Sequence, residues 1–179
     1  MADTRILKSK VEDYVREWLK QKFGQPFQAK LLVLSGVQGT PKTHEFDAVS
    51  QDGKIICSIK TASWKTSGGN RGSGKIQGAY TELYFLNLVQ AREKYLVLSG
   101  PEFFRCFTQD CTGRLALGTA LLHCSLSAAL CAEVDAIRKV SRSELGFQES
   151  SETVSQQEEL DISVDSTDRY ENEHRPEFL

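Results

Sequence analysis

The chain has 179 residues, room for one domain of ordinary size and a tail. Hydrophobic residues make up 40% and charged residues 26%, and no apolar run reaches the roughly 18 residues that a membrane-spanning helix needs, so a helical membrane protein is excluded. The formal net charge of −2 hides an asymmetry, because residues 147–179 carry ten acids against Arg169 and Arg175, which leaves +6 on residues 1–146.

Residues 5–23 place Leu7, Val11, Tyr14, Val15, Trp18 and Leu19 at helical spacing with charges between them, and Gly24 and Pro26 end the run. From Ala29 the chain becomes extended. AKLLVLSGV is an apolar run, HEFDAVS alternates, and KIICSIKT follows the turn signal Gln51-Asp52-Gly53, so three strands are predicted with a tight hairpin between the second and third. Residues 61–75 hold four glycines and three cations, a composition that predicts a mobile loop. A helix is expected from about Lys75 to Arg92, with an apolar surface wide enough to lie on a sheet. KYLVLSG reads as a strand ending at Gly100, Pro101 opens a short helix to about Phe107, TALLHCSL reads as another strand, and residues 127–142 as a last helix. From Glu149 onward bulky apolar residues are few and disorder is expected.

The order α-β-β-β-α-β, then α-β-α, predicts an α/β fold in residues 1–146: a mixed sheet flanked by helices, with the crossover helix returning the chain parallel to the third strand. Residues 147–179 form an acidic tail. A basic body with such a tail suits a nucleic-acid binder whose tail competes for the basic surface, or an ordinary domain with a solvating tail. MADTRILKSK lacks the apolar stretch of a signal peptide, and a cytoplasmic location is expected. The five cysteines form no CxxC pair and the only histidines are His44, His123 and His174, a pattern against a zinc site and in favour of reduced thiols packed as small hydrophobes.

Strict alternation along HEFDAVS sends Glu45 and Asp47 to one face, with His44, Phe46 and Ala48 on the other. In KIICSIK it groups Ile56, Ser58 and Lys60. An aspartate, a hydroxyl and an ammonium then converge across one hairpin, and a lysine at the end of an apolar strand needs an acidic partner, for which Asp47 is the nearest choice. His44 is expected to point away and to be structural.

This arrangement resembles the PD-(D/E)xK nuclease superfamily, which includes many restriction endonucleases, Holliday-junction resolvases and repair exonucleases. The resemblance spans about residues 5–100 and implies a restriction-endonuclease-like core. It makes Asp47 the first acid of the motif and Lys60 its lysine, with Ser58 standing where Asp or Glu is the rule. Some restriction enzymes with S-x-K take the missing acid from the helix after the third strand, and Glu82 is the one acid inside that helix here. The resemblance therefore implies Mg2+, with Mn2+ as a substitute, held by Asp47 and Glu82 with Glu45 or Glu12 as further ligands; Lys60 would position the attacking water and Ser58 would hydrogen-bond a ligand or phosphate. Gln77 and Tyr80 loosely resemble the glutamine-tyrosine motif of the RecB-like branch. Lys65, Arg71, Lys75 and Trp64 in the glycine-rich loop are candidates for gripping a nucleic-acid backbone. GGNRGSGK is not a P-loop, since Ile76 follows Lys75 where Ser or Thr is required.

The function expected is Mg2+-dependent endonucleolytic cleavage of DNA, of restriction or repair type, with the choice between DNA and RNA left open by the sequence and a homodimer as the form suited to cutting two strands. The alternative is a nuclease fold without activity, kept as a nucleic-acid-binding or assembly module.

Overall fold

The computed structural model describes residues 4–66 and 69–144; the acidic tail lies outside them. Nine elements follow in the order predicted: α1 (Thr4–Phe23), β1 (Phe27–Val33), β2 (Thr43–Ser50), β3 (Ile55–Lys60), α2 (Ser73–Asn87), β4 (Glu93–Leu98), α3 (Pro101–Asp110), β5 (Thr119–His123) and α4 (Ala128–Glu144). The strands form one five-stranded mixed sheet in the order β1-β2-β3-β4-β5. β1 and β3 run antiparallel to β2, and β4 and β5 run parallel to β3. Among the described residues no helix is long and apolar enough to cross a membrane.

Each helix lies where its apolar stripe demands. In α1, Val11, Val15 and Leu19 recur every four residues and are buried against Ala48, Ile55, Cys57, Ile59 and Val97. Residues of α4, Leu130 and Val134, join the same layer. The opposite face carries α2, through Ile76, Ala79, Leu83 and Leu86, and α3, through Phe103 and Phe107. β3 is central and covered on both sides, which explains why Ile55–Ile59 are all buried and only Lys60 at its end reaches water. The β2–β3 turn is tied by side chains: Ser50 Oγ donates to Asp52 Oδ1 (2.7 Å) and accepts from Ile55 N–H (2.9 Å), with Gly53 at φ 71°.

Two departures from the sequence reading shape the molecule. Gln28 lies opposite Val49 and Lys30 opposite Phe46, so two steps on β1 match three on β2, and β2 carries one extra residue between Phe46 and Val49. As a result Phe46 and Val49 pack in the α2–α3 layer while Ala48 packs in the α1–α4 layer, although alternation assigned Phe46 and Ala48 to one face. The described residues before α2 also make contacts that their composition does not announce. The segment doubles back as Lys65 bridges Arg71, Thr66 N–H donates to Asn70 O (2.7 Å) and Gly72 N–H donates to Trp64 O (2.8 Å). Trp64 anchors it with an edge-on contact to Phe103, ring centres 5.7 Å apart.

After β4 the chain crosses close over the exit of β3. A Cβ built on Gly100 would lie 2.5 Å from Ala62 O, a backbone atom with no room to yield. Gly100→Ala should therefore destabilise the domain by about 1–3 kcal/mol, read as a lower melting temperature with an unchanged far-UV spectrum.

Candidate functional site

The extra residue in β2 builds the site. Backbone pairing of β2 with β3 runs through Val49–Ile56 and Ala48–Cys57. Beyond it the strands part, and the Asp47 side chain takes over, Oδ2 accepting from Ile59 N–H at 2.7 Å. The carbonyl oxygen of Asp47 accepts from Arg16 Nη1 of α1 at 2.7 Å. Had the hairpin stayed regular, Asp47 would fall opposite Ser58 and Glu45 opposite Lys60. The shift in phase brings His44 and Phe46 to that face instead.

Lys60 accordingly pairs with Glu82 of α2, Nζ to Oε1 at 2.8 Å, and forms no ion pair with Asp47 among the described residues. The expected Asp47–Lys60 pair is thus replaced by one with the acid from the following helix. The other oxygen of that carboxylate, Oε2, lies 3.4 Å from His44 Nε2. His44 does not point away, as alternation predicts, but stacks on Phe85 of α2 with ring centres 4.0 Å apart. Ser58 is fully buried on the same face; its Oγ has no hydrogen bond of good geometry, yet it lies near enough to Glu82 to stabilise the ionised carboxylate.

The two acids respond to this environment in opposite directions. Burial works to raise the pKa of Glu82, but the Lys60 ammonium, the Ser58 hydroxyl and His44 outweigh it and hold the carboxyl below its usual range. Asp47 is pushed up, first by burial and then by the negative charges of Glu12 and Glu82, which the Ile59 N–H and Lys8 only partly offset. Asp47 of β2 therefore lies within electrostatic reach of Glu12 of α1 and of Glu82 of α2.

Glu12 is largely buried on α1, 3.3 Å from Lys8 Nζ and 3.8 Å from Arg16 Nη1. With Lys8, Ile59, Lys60 and Thr61 it lines a cleft of about 260 Å³ at the end of β3. Glu45 is exposed, opposite Leu31 on β1, and its charge is felt at Lys8. No three His, Cys, Asp or Glu side chains among the described residues are gathered into a preformed metal cage. Mg2+ does not require one, since it keeps several waters and binds through one or two carboxylates plus substrate phosphate. The donor set fits such an ion in its chemistry: oxygen ligands only, and an aspartate whose proton affinity is raised first by burial and then by neighbouring negative charge.

The cations of the loop before α2 all have partners. Arg71 donates to Asp110 Oδ1 (2.7 Å) and lies 5.0 Å over the Trp64 ring; Lys65 Nζ is 3.7 Å from Glu102; Lys75 Nζ donates to Ser63 Oγ (2.7 Å) and to Lys65 O (3.0 Å). Tyr80 donates to Asp110 Oδ2 (2.7 Å) and Gln77 is exposed. The five cysteines are free, and burial pushes the thiols of Cys57, Cys111 and Cys124 up, the last to about 11, which keeps them protonated.

Sequence reasoning missed Lys8, Arg16 and His44. The first two share the Glu12 face of α1 at helical spacing, a readable signal; His44 depended on the bulge. No family model, no curated protein and no solved structure matches this chain.

Proposed function

We propose that the protein is a Mg2+-dependent endonuclease of restriction-endonuclease-like fold that hydrolyses phosphodiester bonds in DNA. The observation that carries this reading is the Glu82–Lys60 pair at 2.8 Å beside Ser58, because it puts an acid from α2 next to the lysine of an S-x-K strand that lacks its own. Asp47, at the parting of β2 and β3, would be the acid to hold the ion, with Glu82 or Glu12 as the further carboxylate. Mg2+ bound there supplies charge stabilisation to the phosphate and lowers the pKa of an attacking water. Lys60, which lines the cleft, would orient an attacking water and offset negative charge on the phosphate, while Glu82 holds the ammonium in place. The Ser58 hydroxyl, close by, helps to keep Glu82 ionised.

Arg71, Lys65 and Lys75, with Trp64 for stacking, suit a phosphate backbone passing beside the site, once phosphate takes the place of Asp110 and Glu102. Arg71→Ala should weaken DNA binding about equally for all sequences and reduce the slope of log K against log salt by about one, measured by fluorescence anisotropy.

A second reading, the inactive scaffold, draws on the same pair, since Lys60 and Glu82 neutralise one another. Incubation of purified protein with Mg2+ or Mn2+ and plasmid or branched DNA separates the two. Cleavage that Lys60→Ala abolishes supports the enzyme; binding without cleavage under both metals would sink it.

A further inference from the structure

We infer that His44 is a positioning residue that fixes the orientation of the Glu82 carboxylate, an inference that rests on the nuclease reading of the site. Glu82 is held at both oxygens, Oε1 by Lys60 at 2.8 Å and Oε2 facing His44 Nε2 at 3.4 Å. A carboxylate contacted at one oxygen swings about its last bond; contact at both leaves one orientation. The imidazole itself is set by packing. It lies nearly parallel to Phe85, at 15° and 4.0 Å, and meets Phe46 edge-on at 4.8 Å, so its plane and the direction of Nε2 are fixed by two rings. Phe85 sits one turn after Glu82, so the same helix supplies the acid and the surface on which its partner stacks.

The chemistry of Nε2 singles out this role. The atom is buried and no group satisfies it with a well-formed hydrogen bond, so the structure carries a polar nitrogen where an aromatic hydrocarbon would pack as well. Facing a carboxylate at 3.4 Å, the Nε2–H tautomer is the one that suits the site, since a bare lone pair there would meet the negative charge of Oε2. Glu82 is the acid that Nε2 faces, and Lys60 and Ser58 act on the same carboxylate. Groups of this kind behind a metal-binding carboxylate set its affinity without touching the ion.

The test uses His44→Phe, which preserves both ring contacts, and His44→Gln, whose amide nitrogen overlays Nε2. His44→Phe should leave the melting temperature unchanged or higher, weaken binding of Mn2+ alone by about tenfold, and lower kcat with KM for DNA within about twofold. His44→Gln should recover most of that affinity. In a Glu82→Ala background, His44→Phe should change Mn2+ affinity by less than about twofold. In the metal-free protein, nitrogen NMR should find a single Nε2–H tautomer that becomes mixed in Glu82→Ala. Wild-type Mn2+ affinity in His44→Phe, or a tautomer indifferent to Glu82→Ala, overturns the inference. Wild-type protein that binds no Mn2+ and cuts no DNA overturns the nuclease reading instead, and the tautomer still decides whether His44 orients Glu82.

Discussion

Asp47→Asn should abolish cleavage and, at neutral pH, raise the melting temperature. Asp47 is partly buried, which raises its pKa first, and Glu12 and Glu82 add to its reluctance to ionise, so its pKa in the folded protein lies above the unfolded value. For an acid shifted in this direction the folded state binds its proton more tightly than the unfolded chain does. Below the unfolded pKa both states are protonated and there is no penalty; as pH rises through that value and on through the folded one, stability falls by the full cost of the shift. Asparagine is neutral at every pH and still offers a carbonyl oxygen to the Ile59 N–H that Oδ2 now accepts from. The variant therefore removes the penalty and retains the hydrogen bond. Its stability advantage should shrink as the pH is lowered toward the aspartate range, which thermal melts between pH 7 and pH 4 will follow. Activity should drop about a thousandfold or more, because the charge that would hold the metal is gone. Higher stability with lost function marks an acid retained for chemistry. An Asp47→Asn protein that melts below wild type at pH 7 would show the aspartate to be structural.

The fold was legible because its signals are local. The four-residue recurrence of Val11, Val15 and Leu19, the Asp52-Gly53 turn and Pro101 at a helix start each fix one element without reference to the others. Strand polarity followed from connection length, since α2 carries the chain from β3 to a parallel β4. The site was legible only in its membership. Lys60, Ser58 and Glu82 come together, but which acid meets the lysine depends on the phase of β2, and one extra residue reverses that phase. Nothing in HEFDAVS announces it, because a bulge costs no special residue type here; the signal lies in the pairing with β1 and in Arg16, which satisfies the Asp47 carbonyl. His44 was assigned to the wrong side for the same reason. The contacts of Trp64 and Arg71 with Phe103 and Asp110 of α3 were not legible either, because composition reports the freedom of an isolated segment and says nothing of its tertiary partners.

Moving the acid from α2 back to β3 should restore what its removal takes away. Glu82→Ala alone leaves Lys60 partly buried without an acid, a loss of about 1–2 kcal/mol given that the ammonium still touches water. Its pH signature is opposite to that of Asp47. Although burial opposes it, Lys60, Ser58 and His44 hold the folded pKa of Glu82 below the unfolded one, so its contribution is present above the unfolded pKa and is lost as pH falls through the folded value. The gap between wild type and Glu82→Ala should close in acid. Cleavage by Glu82→Ala should fall by two orders of magnitude or more, about the loss expected for an electrostatic group at the reacting centre. Ser58→Glu alone should fare no better, since it forces a longer side chain into a fully buried position and sets two carboxylates against one ammonium. In the Ser58→Glu, Glu82→Ala double variant the volume of Glu82 is vacated, Lys60 regains one acid two residues before it on β3, and His44 faces no rival carboxylate. Single-turnover cleavage with Mn2+ should recover at least about tenfold over Glu82→Ala. A double variant as inactive as the single one, while folded and still binding Mn2+, would show that Glu82 does something a strand carboxylate cannot. No cleavage by any of the four proteins, wild type included, would leave the scaffold as the function of the fold.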